Sequence, residues 1–387
     1  MNSQALLLSR VSPTMEWMET SLREARLEAL RNLLAQEKLD GLLVSGSDNR
    51  HYLSGFTARE EMLHESCGSL LITREAAFLF TDFRYLEWAQ AEAAGFEILL
   101  YQGGLGALLA ETLKTQKVRR LGFESAYLPY GHYQRLTQTA ADAGLTVEWV
   151  PTDGLVEGLR EVKAEEELAA IRRALELTET VFEAVVANLR PGLTERQVAW
   201  EIERRLREMG AGLAFPPIVA AGPNSARPHH RPGDYALREG EAIIIDMGAR
   251  VDGYCADLTR TLILGEPPRR FLEIYSLVRQ AQLAAEQGLR AGMESLAADA
   301  LAREILAQAG YGEAFGHSLG HGVGLAVHEA PSLSFIKERS TILKAGSVVT
   351  VEPGIYLSGW GGVRLEDMVV IRENGAEILN RLGFYNF

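Results

Sequence analysis

In the stretch IIIDMGARVDGYCADLTRT, residues 243–261, an apolar run leads into Asp246, and Asp257 follows a second, mostly apolar run. Ionised carboxylates are rarely buried without compensation. Read as a β-hairpin with its tip at Val251-Asp252, the register pairs Ala249 with Tyr254 and sets Asp246 opposite Asp257. Opposed residues share a sheet face, with Cβ atoms roughly 4.5–5.5 Å apart. Two like charges would then meet in an apolar setting, so either one acid holds a proton or a cation lies between them. The pattern returns in VTVEPG and GVRLE, where Glu352-Pro353-Gly354 and Gly362 to Glu366 repeat Asp246-Met247-Gly248 and Gly253 to Asp257. A second hairpin would bring Glu352 near Glu366, its longer connection leaving the register open. Four acids in two matched units, each beside a glycine, point to a divalent metal cluster, since oxygen-rich sites suit hard or borderline cations.

The histidines add to this. Five of the eight lie in the C-terminal half, at positions 229, 230, 317, 321 and 328. GHSLGHGVGLAVHEAP holds three of them, interleaved with glycines that let backbone approach a ligand closely. HSLGH lacks the internal glutamate of the HExxH zinc motif. Four carboxylates, one neutral imidazole and two doubly charged ions sum to zero charge, so the assembled cluster can be partly buried. Two such ions, roughly 3.5–4 Å apart, bind a bridging water and lower its pKa toward neutrality, giving a hydroxide nucleophile suited to an unreactive amide.

The elements that must position these residues divide the chain. Helical spacing of Leu22, Leu27, Leu30, Leu33 and Leu34 predicts a helix over 21–37. Strands are predicted at LDGLLVSGS, SLLIT (69–73), AFLFT (77–81), FEILLY (96–101), LGFE (121–124) and LTVEWV (145–150), with the helical stretches RYLEWAQAEAA, GALLAETLKTQ and HYQRLTQTAADAG among them. Alternating strands and helices argue for an α/β domain. Pro151 and Gly154 break the pattern, and the long charged helix that follows reads as a solvated face. Thr194 is an N-cap with Gln197 at the capping-box position, and Gly210 can end that helix. FLEIYSLVRQAQLAAEQGL and ESLAADALAREILAQAG are helical regions before the second acid unit. The repeated acid units suggest a duplicated α/β unit related by a pseudo-two-fold.

The 387 residues suffice for two or three domains, and 47% hydrophobic with 24% charged residues describes a soluble globular protein with a sizeable core. A net charge of −13 argues against nucleic acid or an anionic membrane as partner. No apolar run is long enough to span a membrane, and the opening residues carry too short an apolar core for a secretory signal. Two cysteines, Cys67 and Cys255, in unrelated contexts point to a reducing, cytoplasmic home. Asp48, His51 and His64 read as ordinary surface or loop residues, and His230 and Glu329 as bystanders.

Taken in order, NRHYLSGF, FTDFRY, LREVKAEEELAAIRRA, PHHRPGDYALREGEAIIIDMG, DGYCADLTRT, HSLGHGVGLAVHE, VEPGIY and GGVRLED resemble the two-domain pita-bread metallopeptidases of family M24, the Xaa-Pro aminopeptidases and Xaa-Pro dipeptidases (prolidases). The resemblance spans nearly the whole chain. It implies an α/β (α+β) protein with an N-terminal creatinase-like domain, 1–153, and a C-terminal pita-bread catalytic domain, 154–387. It implies five metal ligands, Asp246, Asp257, His321, Glu352 and Glu366, with Asp257 and Glu366 bridging two ions. Glu352 would also shuttle a proton to the leaving nitrogen. His229, His317 and His328 would orient the substrate carbonyl and stabilise the oxyanion, and Arg364 would hold a carboxylate in place.

Four oxygens and one nitrogen favour Mn²⁺, with Co²⁺, Zn²⁺ and Fe²⁺ as alternatives. The implied substrate is a proline-containing peptide and the implied assembly a homodimer. An Xaa-Pro bond has no N–H for a peptidase to grip, so the ring must be recognised by shape. Some dipeptidase-like relatives carry an arginine directly after the HExP segment, where this chain has Ser332. That tilts the expectation toward an Xaa-Pro aminopeptidase, with the dipeptidase as the alternative and a non-catalytic pita-bread binding module as a lesser one. Creatinase-like C–N hydrolysis does not use the metal set that is intact here, and methionine aminopeptidase lacks the N-terminal domain.

Overall fold

The computed structural model describes residues 13–60, 62 and 65–385, with side chains from Ser21 onward. The expectations for His64 and for the opening apolar residues lie outside the described residues. The chain divides into two compact units, the first ending at Leu159 and the second beginning at Arg160.

The first unit is built on a six-stranded sheet in the order Glu97–Leu100, Ala77–Thr81, Ser69–Thr73, Gly41–Val44, Arg120–Glu124, Glu148–Thr152. Ser69–Thr73 runs antiparallel to both neighbours and the other pairings are parallel. Gly41–Val44, Ser69–Thr73 and Ala77–Thr81 are buried at every residue. Strands covered on both faces need no polar alternation, which is why they read as continuous apolar runs. Leu43, Leu71, Phe80, Leu121 and Phe123 from the sheet pack with Leu109, Leu113 and Leu136 from the helices Gly106–Thr115 and Tyr130–Asp142.

The second unit repeats one plan twice. Helices Glu165–Val186 and Glu195–Glu208 precede the first acid hairpin, and Arg269–Gly288 and Ser295–Gln308 precede the second. The turns between the paired helices are related in sequence, LRPGLT at 189–194 and LRAGME at 289–294, and both glycines have positive φ, 91° at Gly192 and 79° at Gly292. Thr194 caps its helix as the sequence predicts, accepting the Gln197 N–H at 3.2 Å while Gln197 Oε1 accepts the Thr194 N–H at 2.9 Å. The charged helix Glu165–Val186 is more than a solvated face. It buries Leu168, Ile171, Leu175, Phe182 and Val185 at helical spacing.

Each hairpin is bent in the middle. In the first, Ala242–Met247 pairs with Leu258–Ile263 and, past the bend, Arg250 and Val251 pair with Cys255 and Tyr254. One register runs through both segments and differs by two residues from the expected one. The turn is Asp252-Gly253, with φ of 51° and 84°, a two-residue loop whose twist matches the flanking strands. Asp246 therefore faces Thr259, and Asp257 lies diagonal to Asp246 on the same face. At the bend Gly248 is obligatory, because a Cβ there would lie 1.9 Å from the Ala256 carbonyl oxygen. In the second hairpin the pairings Val351 with Asp367 and Gly354 with Arg364 share one register. Carried across the bend, it sets Glu352 against Glu366.

Candidate metal centre

The four acids sit at the bends, where strand alternation turns them to one side. Asp246 is 8%, Asp257 4% and Glu366 2% exposed. His321 enters from the short strand Gly320–Gly322. One ligand atom each from Asp257, His321 and Glu366 lie within 4.8 Å of one another. His321 Nε2 is 3.6 Å from Asp257 Oδ2 and 3.3 Å from Glu352 Oε1. The opposite ring nitrogen, Nδ1, is 3.1 Å from the Gly322 carbonyl oxygen. A carbonyl only accepts, so Nδ1 carries the proton of the neutral ring and Nε2 presents a lone pair to the acids.

Arg364 joins the two hairpins. Its Nη2 donates to Asp246 Oδ2 at 2.6 Å, its Nη1 to the Tyr356 hydroxyl at 3.0 Å and to the Pro228 carbonyl at 3.3 Å, and its Nε to Thr259 Oγ1 at 3.2 Å. Thr259 in turn donates to Glu366 Oε2 at 2.7 Å. Thr350 donates to Glu352 Oε1 at 3.2 Å. His317 Nδ1 lies 2.9 Å from the Ser318 carbonyl, so its Nε2, 2.9 Å from the Tyr356 oxygen, accepts the phenolic proton.

Of the remaining histidines, His328 lays its ring 4.3 Å from that of His321 at 73°. His229 follows Pro228, whose carbonyl Arg364 holds. It is close enough for its charge to bear on Asp246 and on His328. All nine candidate residues are thus gathered in the second unit. The two bystanders are not idle. His230 Nε2 meets Glu195 Oε2 at 2.8 Å, and fully buried Glu195 also accepts the backbone N–H groups of Ala221 and Gly233. Glu329 is paired with Arg160 and Lys163. Sequence reasoning passed over Thr259, Thr350 and Tyr356. A strand period of two links Thr259 to Asp257, Thr350 to Glu352 and Tyr356 to Gly354, which was the available signal.

Burial pushes the carboxyls of Asp257 and Glu366 well above their ordinary range, and the neighbouring acids push them further. Asp246 and Glu352 are raised by burial as well, against the pull of nearby positive groups, Arg364 among them. Burial lowers His317 and His321. His328 is brought down to about 4 by partial burial and by the like charges of His321 and His229. Asp246 Oδ1 is buried with no hydrogen-bond partner. Crowded acids that resist ionisation, an orphaned carboxylate oxygen and an imidazole lone pair aimed at them form a donor set that fits divalent cations.

Comparison with known proteins bears on this geometry. Residues 169–373 match the family model of metallopeptidase family M24, and residues 26–162 match that of the creatinase/prolidase N-terminal domain. A Xaa-Pro dipeptidase of Pyrococcus horikoshii is 34% identical over 92% of this chain and 97% of its own length. The structure of a Xaa-Pro dipeptidase from Bacillus anthracis superposes with a TM-score of 0.87 at 38% identity, covering 94% of this chain and 99% of that one. An X-Pro aminopeptidase from Thermotoga maritima gives 0.81 at 36% identity, over 90% and 97%. With matches this extensive in both halves, the chain belongs to metallopeptidase family M24 and carries that family's creatinase/prolidase N-terminal domain.

Proposed function

We propose that this protein is a metal-dependent Xaa-Pro dipeptidase, a prolidase. The observation that carries the reading is the convergence of buried Asp246, Asp257 and Glu366 and half-buried Glu352, from two bent hairpins, on the Nε2 lone pair of His321 from the strand Gly320–Gly322. Asp246, Asp257, His321, Glu352 and Glu366 would hold two divalent ions, and four oxygens with one imidazole suit Mn²⁺ best. When bound, such ions acidify a water and polarise the scissile carbonyl. The chain's own side chains supply the rest. Arg364 fixes Asp246 and keeps its second oxygen free. Glu352, held by Thr350, would carry the proton released by the attacking water to the proline nitrogen, since an amide nitrogen leaves only as the protonated amine. His328, neutral at working pH, donates an N–H to the developing oxyanion, with His229 beside it. The Tyr356 hydroxyl, held by Arg364, fixes the ring of His317 at the edge of the cluster.

Two of the three relatives compared above are dipeptidases, which moves the weight from the aminopeptidase to the dipeptidase. The aminopeptidase remains the second reading because Ser332, where some dipeptidase-like relatives have arginine, pairs with His321 across the ladder and brings no positive charge. Cys67 and Cys255 are buried thiols and form no disulfide, which fits a reducing compartment. Among the described residues no helix is long and apolar enough to cross a membrane. The deciding experiment compares Ala-Pro with Ala-Pro-Ala and longer peptides on Mn²⁺-loaded protein. Cleavage confined to the dipeptide supports the proposal, preference for longer peptides supports the aminopeptidase, and no cleavage of either overturns both.

A further inference from the structure

The loop that carries His328 is neither helix nor strand; it holds the Gly324 N–H to the Ala326 carbonyl at 3.0 Å within itself and the Val323 N–H to the Val348 carbonyl at 3.0 Å. Gly322 and Glu329 pair across it, and residues 323–328 form its span. From one side it rests on the first hairpin, through the Cys255 N–H to the Gly324 carbonyl at 2.8 Å and Arg250 Nη1 to the Leu325 carbonyl at 3.2 Å. From the other side it rests on Glu329. That carboxylate is 5% exposed, pairs with Lys163 Nζ at 2.8 Å and with Arg160 Nη2, and accepts the Ala326 N–H at 3.3 Å. It also packs under Gly324, where a Cβ would lie 2.3 Å from Glu329 Oε1. The cations come from a segment that is itself fixed. The Lys163 N–H donates to the Gly346 carbonyl at 3.0 Å, Lys163 Nζ donates to the Glu161 carbonyl at 3.2 Å, and Val162 bridges to Ser347.

We infer that Glu329, held by Arg160 and Lys163, is a positioning residue that sets the ring of His328 over the acid cluster. The inference deepens the peptidase reading and rests on it. Burying three charges is a poor way to gain stability, since an apolar replacement of the same shape often serves as well. What a buried carboxylate with two fixed cations provides is a single position for the backbone of residues 324–329. A one-residue path then leads from Glu329 to the ring of His328, which lies against His321.

The test uses the full chain. Lys163→Met leaves Glu329 and Arg160 as a neutral pair. Glu329→Gln removes the anchor itself. On a Mn²⁺-loaded sample, kcat for the cleaved Xaa-Pro peptide should fall about 10–100-fold, as for other groups that orient a metal site from behind. KM should stay within about twofold if the group acts only in the transition state, and the metal content should equal that of the unsubstituted protein. Lys163→Arg should restore the rate. In metal-free protein labelled with ¹³C-histidine, the His328 ring signal, assigned through His328→Asn, should move in Lys163→Met. A purely structural role would lower the melting temperature and leave kcat per folded molecule and that signal alone. Unchanged kcat, an unmoved ring signal, or loss of metal in step with activity each overturns the inference. If the unsubstituted protein cleaves no Xaa-Pro peptide, the peptidase reading fails while the ring signal still decides on the tether. Should Glu329→Gln not fold, Lys163→Met decides alone.

Discussion

Arg364 and Asp246, 118 positions apart in the sequence, are joined by a 2.6 Å Nη2–Oδ2 ion pair that ties one acid hairpin to the other. Both side chains are nearly buried, at 4% and 11% exposure. The pair occupies Asp246 Oδ2 and leaves Oδ1 without a partner. Arg364→Lys keeps the charge but cannot reach Asp246, Tyr356, Pro228 and Thr259 together. It is expected to lower kcat about 10–100-fold with smaller loss of bound metal. Steady-state kinetics beside elemental analysis checks this, and an unaltered rate would count against the positioning role.

The acid cluster makes opposite demands with and without metal. Asp257→Asn and Glu366→Gln should each remove bound metal and most activity. In metal-free protein at pH 8 the same substitutions should raise the melting temperature, because they relieve repulsion among buried acids. In the presence of excess Mn²⁺ the order should reverse, since only the unsubstituted protein gains the binding free energy. Thermal scans of the three proteins with and without metal would test the crossover, and a lower apo melting temperature for both variants would refute it.

The first unit offers a pH test that involves none of the metal ligands. Glu124 is buried and accepts the N–H groups of Ser45 at 2.6 Å and Gly46 at 2.7 Å and the Asn49 amide at 2.7 Å. Burial nonetheless pushes its carboxyl up to about 7, from an ordinary 4.5. The folded state then binds more protons than the unfolded one between those values. The stabilisation is complete below about pH 4.5 and is lost as pH rises through 7, a change of about 3 kcal/mol. Glu124→Gln should flatten that part of the stability profile. Urea titrations from pH 4.5 to 8 on both proteins would show it, and parallel profiles would mean that Glu124 titrates normally.

Gly248 has no room for a side chain. The Cβ of Gly248→Ala would lie 1.9 Å from a backbone oxygen, which cannot rotate away. The bend must open or the register slip, and we expect a loss of about 3 kcal/mol or more together with loss of metal. Gly240→Ala, whose nearest neighbour is 4.0 Å away but whose φ is 75°, serves as a control for strain alone. Retention of full metal content in Gly248→Ala would show that the close approach is dispensable.

Much of this was legible in the chain itself. The two acid units, their glycines and the clustered histidines announce a metal-binding chemistry, because like charges at the ends of buried strands persist only where a cation or a proton offsets them. Apolar runs located the strands of the first unit, and the capping box at Thr194 located a helix start, because both signals are local. Register was less accessible. A tip at Val251-Asp252 sets the acids of the first hairpin face to face, whereas the Asp252-Gly253 turn sets them diagonal, and the Asp-Gly dipeptide was the local signal for that turn.

What the tertiary structure alone decided is which distant groups meet. Thr259 reaches Glu366, Tyr356 reaches His317, and Glu329 finds its cations at Arg160 and Lys163, 169 and 166 positions away. None of these pairs leaves a pattern in sequence spacing, because spacing encodes only the neighbours along one helix or strand. Composition and periodicity fixed the kinds of atoms present and the faces they occupy. Folding two similar hairpins against each other determined their partners, since the free energy of burying an acid is recovered only where the complementary group arrives.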